Sequence, residues 1–301
     1  MEFNIPEFLK SMLEKQYGIE MTKKIVQGYC ERRHTTLRTN TLKSKVDEIE
    51  MVLIKEKIEY EKVEWTQEAF ILKNALEKEI KALDIYKDGK IYLQSLSSML
   101  PPIILQPQQG MDILDMTAAP GGKTTQIAAI TKNKASITAC EMNKIRAERL
   151  KYNIEKQGAN VYVIIQDARK IDNFFSFDQI LLDAPCSGSG TINLQKSSTK
   201  ETFTMRLIEK SVAIQEALLE KAINVLKPGK EMIYSTCSIL SCENEEILNK
   251  VIKKKKIEIL PIEFNGKEKL PLLPTKIKGT LCVCPNQLYE GFFLAKIRKL
   301  N

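Results

Sequence analysis

From Met111 onward, short apolar runs alternate with segments of helical period. The runs are MDILDM, SITAC, VYVII, FDQILLDA, EMIYSTC and EGFFLAKI, and the helical segments begin near Gly122, Asn143, Met205 and Glu243. Strands and helices alternating at this length predict an α/β fold, a doubly wound parallel sheet with helices on both faces. Ligands of such sheets bind beyond the carboxyl ends of the strands. Asp115, Glu141, Asp167, Asp183 and Cys237 all fall at or just past such ends.

The first 88 residues follow another pattern. PEFLKSMLEKQYG and EMTKKIVQGYCER read as short amphipathic helices. KVDEIEMVLIKEK is helical too, with Val46, Ile49, Val52 and Leu53 on one face. TTLRTNTLK, IEYEKVEW and AFILK are β-prone. Residues 1–88 are therefore expected to form a small α+β unit, and residues 89–301 the larger domain. Asp88-Gly89 marks a turn between them. Pro101, Pro102 and Pro107 are expected to interrupt any long helix in the connector.

Composition narrows the function classes. The formal charge is +8 over 301 residues, which favours a polyanionic partner such as nucleic acid. An abundance of Lys throughout the chain offers a plainer explanation. The KKKK run at Lys253–Lys256 reads as a solvated helix end. The seven Cys form no regular framework, so a reducing, cytoplasmic setting is expected. No apolar run reaches the ~18 residues of a membrane span. Zinc is not expected, because the chain has no CxxC and a single His, His34. Cys282 and Cys284 share a strand face and read as packing.

The segment DMTAAPGGKTT has the grammar of a nucleotide-cofactor loop. Asp115 ends a strand, small residues follow, and Gly121-Gly122 opens a helix. Small side chains admit a ligand to the backbone, and a helix N-terminus favours electron-rich groups. A phosphate-binding P-loop would need Gly at position 117, where this chain has Thr117. Glu141, after the next strand, is placed to accept ribose hydroxyls, and Asp167 an adenine amine. Each acid alone would more often be a helix N-cap, but their shared position after successive strands favours a cofactor role.

Cys186 in LLDAPCSGSG and Cys237 in IYSTCSIL each follow an apolar strand. A pyrimidine ring is a poor nucleophile at carbon 5. A thiolate adding at carbon 6 makes carbon 5 reactive, after which a proton must leave and the thiol be expelled. Two thiols beside a nucleoside-cofactor loop fit that chemistry. Lys123 and the loop amides are candidates to lower a thiol pKa, and Asp183 to hold the pyrimidine edge. A thiol at a strand end otherwise just fills space.

At this point the chain resembles the Nop/Sun (Fmu-like) family of S-adenosylmethionine-dependent RNA (cytosine-5) methyltransferases. YLQSLSSMLP, DMTAAPGGKT, QDAR, LLDAPCSGSG, YSTCS, CENEE and EGFFLAK occur in the family's order over about residues 86–298. LRTNTLK fits the family's small RNA-binding extension. The resemblance implies a Rossmann-like class I methyltransferase sheet, mostly parallel, with a reversed last strand supplied by EGFFLAKI. It implies that Cys237 attacks carbon 6, that Cys186 assists proton removal and release, and that Asp183 orients the base. Thr117, Ala118, Ala119, Pro120, Gly121, Gly122, Lys123, Glu141, Arg146, Asp167 and Asp183 would line the S-adenosyl-L-methionine site.

The expected activity is methyl transfer to carbon 5 of a cytosine in structured RNA, ribosomal RNA first and transfer RNA second. Two readings compete: a DNA cytosine-5 methyltransferase acting through Pro185-Cys186, and a non-catalytic ribosome-assembly factor on the same fold. A monomer is expected, with RNA held by residues 1–88 and the catalytic face or with a helper protein. Arg32, Arg33 and Arg38 are candidate phosphate contacts, and NLQKSSTKETFT is expected to face RNA. Trp65 and Tyr60 are read as core.

Overall fold

A computed structural model of the chain describes residues 5–195 and 203–301. Two helices open it, α1 (Glu7–Tyr17) and α2 (Ile19–Cys30). A small sheet follows, interleaved with helices: β1 (Thr35–Thr39), α3 (Val46–Lys55), β2 (Tyr60–Val63), β3 (Thr66–Leu72), α4 (Glu77–Ala82), α5 (Asp84–Lys87) and β4 (Ile91–Leu93). Its order is β2-β3-β1-β4, antiparallel throughout. The sheet thus runs to Leu93, past the boundary expected at residue 88. Leu37, Phe70 and Leu72 from the strands close over Ile49 and Leu53, the apolar stripe of α3, as one buried cluster.

The next helix, α6 (Leu96–Leu105), carries Pro101 and Pro102 inside it. Neither proline ends it; the helix stops at Leu105, with Gln106 in the left-handed region at φ 52°. Pro102 has no N–H to offer the Ser98 carbonyl, and Gln94 Nε2 bonds that carbonyl instead at 3.1 Å.

The large sheet comes from β5 (Asp112–Asp115), α7 (Gly122–Ile130), β6 (Ser136–Cys140), α8 (Lys144–Gln157), β7 (Val161–Ile164), β8 (Phe177–Asp183), α9 (Met205–Val225), β9 (Leu226–Thr236), α10 (Glu245–Lys254), β10 (Ile257–Leu260), β11 (Leu272–Leu273), β12 (Leu281–Val283) and β13 (Phe292–Lys299). Its order is β11-β12-β13-β9-β8-β5-β6-β7. Strands β9, β8, β5, β6 and β7 are mutually parallel. β13 runs against β9, Phe293 facing Thr236 and Arg298 facing Glu231, so the expected reversed last strand is present. β10 and β11 are too short to be found by periodicity, whereas β12 falls where a strand was expected at Cys282 and Cys284, ending at Val283. β5 lies between β6 and β8, so the winding reverses there and opens a crevice at the carboxyl ends of β5 and β8.

The first two helices do not belong to the small sheet's core. Leu9, Leu13, Ile25, Val26 and Tyr29 are buried with Tyr234, Cys282 and Phe293 of the large sheet. The buried Tyr29 hydroxyl donates to the Ser189 carbonyl at 2.7 Å, and Tyr17 Oη donates to the Ile239 carbonyl at 2.6 Å. Helices read as part of an RNA-binding extension therefore brace the loops that carry the two thiols. Trp65 is core as expected, its indole N–H donating to Tyr289 Oη at 2.9 Å. Lys254 of the lysine run is solvated and bridges Glu216 and Glu220 of α9 at 2.9 Å each. Among the described residues no helix is long and apolar enough to cross a membrane.

Candidate active site

A cavity of about 310 Å³ sits in the crevice, at the low end of roughly 300–1,000 Å³ for small-molecule sites. Thr117, Ala118, Ala119, Pro120, Gly122 and Lys123 form one wall, from the end of β5 into the first turn of α7. Asp183 and Cys237 stand at the other side. Most of the remaining lining has no counterpart among the residues expected from the sequence: Tyr92 comes from β4, Gln94 and Ser95 from the link to α6, Ser98 from α6, Glu290 from the loop before β13 and Phe292 from its first position. YLQSLSSMLP and EGFFLAK are visible as motifs, but only the fold brings them together.

The loop turns through Gly121, at φ +109°, a conformation side chains rarely adopt. A Cβ there would also lie 3.0 Å from Leu150 Cδ1 of α8. The same helix grips the loop's carbonyls: Arg146 Nη2 donates to Ala119 O at 2.9 Å, and Asn153 Nδ2 to Pro120 O at 2.8 Å. Arg146 Nη1 lies 3.5 Å from the carboxylate of Glu141, which is buried just past β6. Arg146 thus ties Glu141 to the loop. Glu141 and Arg146 stand behind the loop and do not line the cavity.

Asp167 is placed differently. Both its oxygens accept from the Arg169 guanidinium, at 2.6–3.1 Å, and Oδ1 also accepts the Arg169 N–H. The Arg169 fork holds the Asp167 carboxyl below the usual carboxylate range. In this arrangement Asp167 caps a short 3-10 turn and does not reach the cavity.

Lys123 is the hinge of the site. Its Nζ lies 2.7 Å from Asp183 Oδ2 and donates to Ser98 Oγ at 2.7 Å, with the Phe292 ring centroid 5.6 Å away. Burial opposes its charge, but Asp183, Asp115 and Cys237 together hold the ammonium above the usual lysine range. Asp183 Oδ1 accepts from Ser235 Oγ at 2.7 Å, and its carbonyl from Thr117 Oγ1 at 2.8 Å. Beneath them Asp115 is fully buried and accepts from Thr124 Oγ1 at 2.7 Å. Burial, opposed by that bond and by Lys123, pushes its carboxyl up to about 6.

The two thiols meet. Cys186 Sγ and Cys237 Sγ are 3.1 Å apart, both half-buried, as free cysteines. The bond with Cys237, burial and the nearby Glu243 carboxylate push the Cys186 thiol well above the usual thiol range. The thiol loops are also joined through the backbone. Ala184 N–H donates to Ser235 O at 2.8 Å, and Gly190 N–H to Cys237 O at 2.9 Å. Gly190 has no room for a side chain, since a Cβ there would lie 2.0 Å from the Gly291 carbonyl oxygen. That contact brings the loop before β13 against both thiol loops.

A larger groove, about 810 Å³, adjoins the cavity and shares Leu93, Gln94, Ser95 and Glu290 with it. Arg32, Arg33, His34 and Lys73 line it. Arg38 does not face it as expected of a phosphate contact. It is buried, donates to Gln94 Oε1 and Thr125 Oγ1, and joins the small sheet to α7. Burial lowers its pKa to about 10. The segment NLQKSSTKETFT lies mostly outside the described residues. Among the described residues no cluster of three or more His, Cys, Asp or Glu could hold a metal ion.

Comparison with known proteins gives the lineage. Residues 102–298 match the family model "16S rRNA methyltransferase RsmB/F". Residues 5–78 match the ferredoxin-like domain described for RsmF/B-like methyltransferases. The chain is 33% identical to the tRNA (cytosine(49)-C(5))-methyltransferase of Pyrococcus abyssi, over 96% of each. It is 33% identical to the 25S rRNA (cytosine-C(5))-methyltransferase nop2 of Schizosaccharomyces pombe, over 99% of this chain but 52% of that one. The chain thus spans about half the length of the yeast relative. A crystal structure of a methyltransferase homolog protein from Pyrococcus horikoshii superposes with a TM-score of 0.85 at 32% identity, over 99% of this chain and 96% of that one. Topology, ordered motifs and these matches converge: the chain belongs to the RsmB/F family of RNA methyltransferases, within the Nop/Sun class of S-adenosylmethionine-dependent enzymes that its motifs resemble.

Proposed function

We propose that this chain methylates carbon 5 of a cytosine in structured RNA through a covalent cysteine adduct. The carrying observation is the pair of free thiols, 3.1 Å apart, of which Cys237 lines the cavity and Cys186 stands behind it. Cys237 lines the cavity beside Asp183 and Lys123, which suits the nucleophile on carbon 6. Cys186, in contact with Cys237, suits the group that takes the carbon 5 proton. That contact, burial and Glu243 raise its pKa, so it must first give up its own proton and, once a thiolate, accepts that of carbon 5 as Cys237 is expelled. Asp183, fixed by Lys123 and Ser235, is positioned to hold the cytosine edge.

The small residues of the 117–123 loop and the first turn of α7 suit S-adenosyl-L-methionine. Bound there, it would supply the electrophilic methyl group. Thr117, Ala118, Ala119, Pro120, Gly122 and Lys123 would contact it. Gly121 would shape the loop from below, and Glu141 and Arg146 would support it. Asp167 would join only after turning from Arg169. Ribosomal RNA is the first substrate to test, in line with the family description, and transfer RNA the second, in line with the Pyrococcus abyssi relative. Arg32 and Arg33 at one side of the larger groove are candidate phosphate contacts for an RNA strand reaching the cavity, while Glu77, Glu79 and Glu290 also line that groove.

The test is methyl transfer from labelled S-adenosylmethionine to unmodified total RNA, fractionated by size and mapped. Cys237→Ala should reduce transfer to background, a loss on the order of 10⁴-fold or more. Cys186→Ala should instead leave RNA covalently attached to the protein. An adduct in the absence of Cys237 would reverse the assignment of the thiols. Cofactor binding without transfer to any RNA would favour the assembly-factor reading.

A further inference from the structure

We propose that Glu243 is the positioning residue that sets the two thiols against each other, acting through the residue that follows each of them. This rests on the two-thiol reading above and assigns a role to a residue outside the cavity.

Glu243 is completely buried, a costly place for a carboxylate unless donors surround it. The donors are specific. Ser187, next to Cys186, gives its N–H to Oε1 at 2.7 Å and its hydroxyl to Oε2 at 2.6 Å. Ser238, next to Cys237, gives its hydroxyl to Oε2 at 2.6 Å. One oxygen therefore joins the serines that follow both thiols. The clasp is itself anchored: Tyr234 Oη donates to the Glu243 carbonyl at 2.7 Å, and Gln215 Nε2 to the Pro185 carbonyl at 2.9 Å. Asn244, the next residue, accepts from Thr236 Oγ1 at 2.6 Å and donates to Ser238 O at 2.9 Å. A merely structural carboxylate would not need arms ending on the neighbours of both reactive sulfurs.

The arrangement has a chemical consequence. The Glu243 carboxylate beside Cys186 disfavours its thiolate, adding to the effect of the contact with Cys237 and of burial. The carboxylate thus supports an unequal division of labour between two otherwise similar groups.

The experiment uses the full chain and three variants: Glu243→Gln, Ser187→Ala and Ser238→Ala. Glu243→Gln should lower methyl transfer about 100-fold and leave S-adenosylmethionine affinity within about twofold. In a Cys237→Ala background, alkylation of Cys186 by iodoacetamide should shift to lower pH when Glu243→Gln is added, because the opposing charge is gone. The serine variants should separate the two arms. Ser187→Ala should let the covalent RNA adduct linger, and Ser238→Ala should slow its formation. If Glu243→Gln fails to fold, the serine variants decide alone. Wild-type transfer with an unmoved alkylation profile, or identical behaviour of the two serine variants, would overturn the clasp. Cys186→Ala is run beside them. Its failure to trap an adduct would sink the two-thiol reading itself, whereas normal trapping with a silent Glu243→Gln would sink only this inference.

Discussion

At one end of the cleft, a single stretch of chain from Asp115 to Lys123 makes the wall, and neighbouring α8 holds it by its backbone carbonyls. At the other end, three segments far apart in sequence meet around two sulfurs, locked by backbone bonds and a buried carboxylate. The loop end needs shape, because a bound cofactor can be cradled by small residues and a helix terminus. On the proposed mechanism the thiol end needs position, because covalent chemistry tolerates little misplacement. A buried polar network is the device that supplies such rigidity, here satisfied at Glu243 though Gln215 Oε1 has no partner. The Lys123–Asp183 pair is the only ion pair among the described cavity-lining residues that spans the two ends.

Breaking that pair should have the largest effect. Lys123→Met leaves Asp183 without its cation and should destabilise the fold by about 3 kcal/mol. It should weaken both cofactor binding and adduct formation. Loss of only one of the two would show that the ends work independently.

Asp115, beneath the loop end, gives a pH-dependent effect of nearly the same size. Its carboxyl rises from the ordinary 3.8 to about 6 in the folded chain. The folded state therefore holds this proton more tightly than the unfolded state. The group costs nothing below pH 3.8; the cost grows as pH rises and is complete above 6. The full cost is on the order of 3 kcal/mol. Asp115→Asn should therefore gain stability over the parent between about pH 4 and pH 7 by about that amount, measured by urea unfolding at both values. A gap that stays constant with pH would show that Asp115 does not titrate in this range.

The smallest effect is expected at the turn. Gly121→Ala forces a side chain into a left-handed backbone and should cost about 1–2 kcal/mol. Cofactor affinity should fall while the alkylation rates of Cys186 and Cys237 stay as they are. A change at the thiols would mean that the loop end also positions the sulfurs.

Much of the loop end was legible in the sequence. An apolar strand, small residues, a Gly pair and a helix are consecutive, so local pattern and site coincide. The two cysteines were legible as well, each at the end of an apolar run. The rest of the cavity lining was not. Tyr92, Ser98 and Glu290 carry no local signature of contact with residues distant in the chain. Arg38 looked like a phosphate contact because charge alone does not show that a guanidinium is buried between the small sheet and α7. Helices α1 and α2 looked like part of a small extension because amphipathicity shows that a face is covered and not by what.

Taken by itself, the chain determined the alternation of strands and helices, the glycine loop and the place of both cysteines at strand ends. These rest on local period and local backbone chemistry, which neighbouring residues settle among themselves. The reversed last strand was expected only from the family resemblance. Only the tertiary structure decided that Cys186 and Cys237 touch, that Glu243 stands behind both, and that Lys123 joins the cofactor loop to Asp183. Apart from the local Glu243–Ser238 bond, such contacts link residues 51 to 60 positions apart. They exist only because β5, β8 and β9 lie side by side with their carboxyl ends on one edge, an arrangement set by burial of the whole sheet and not by any one segment.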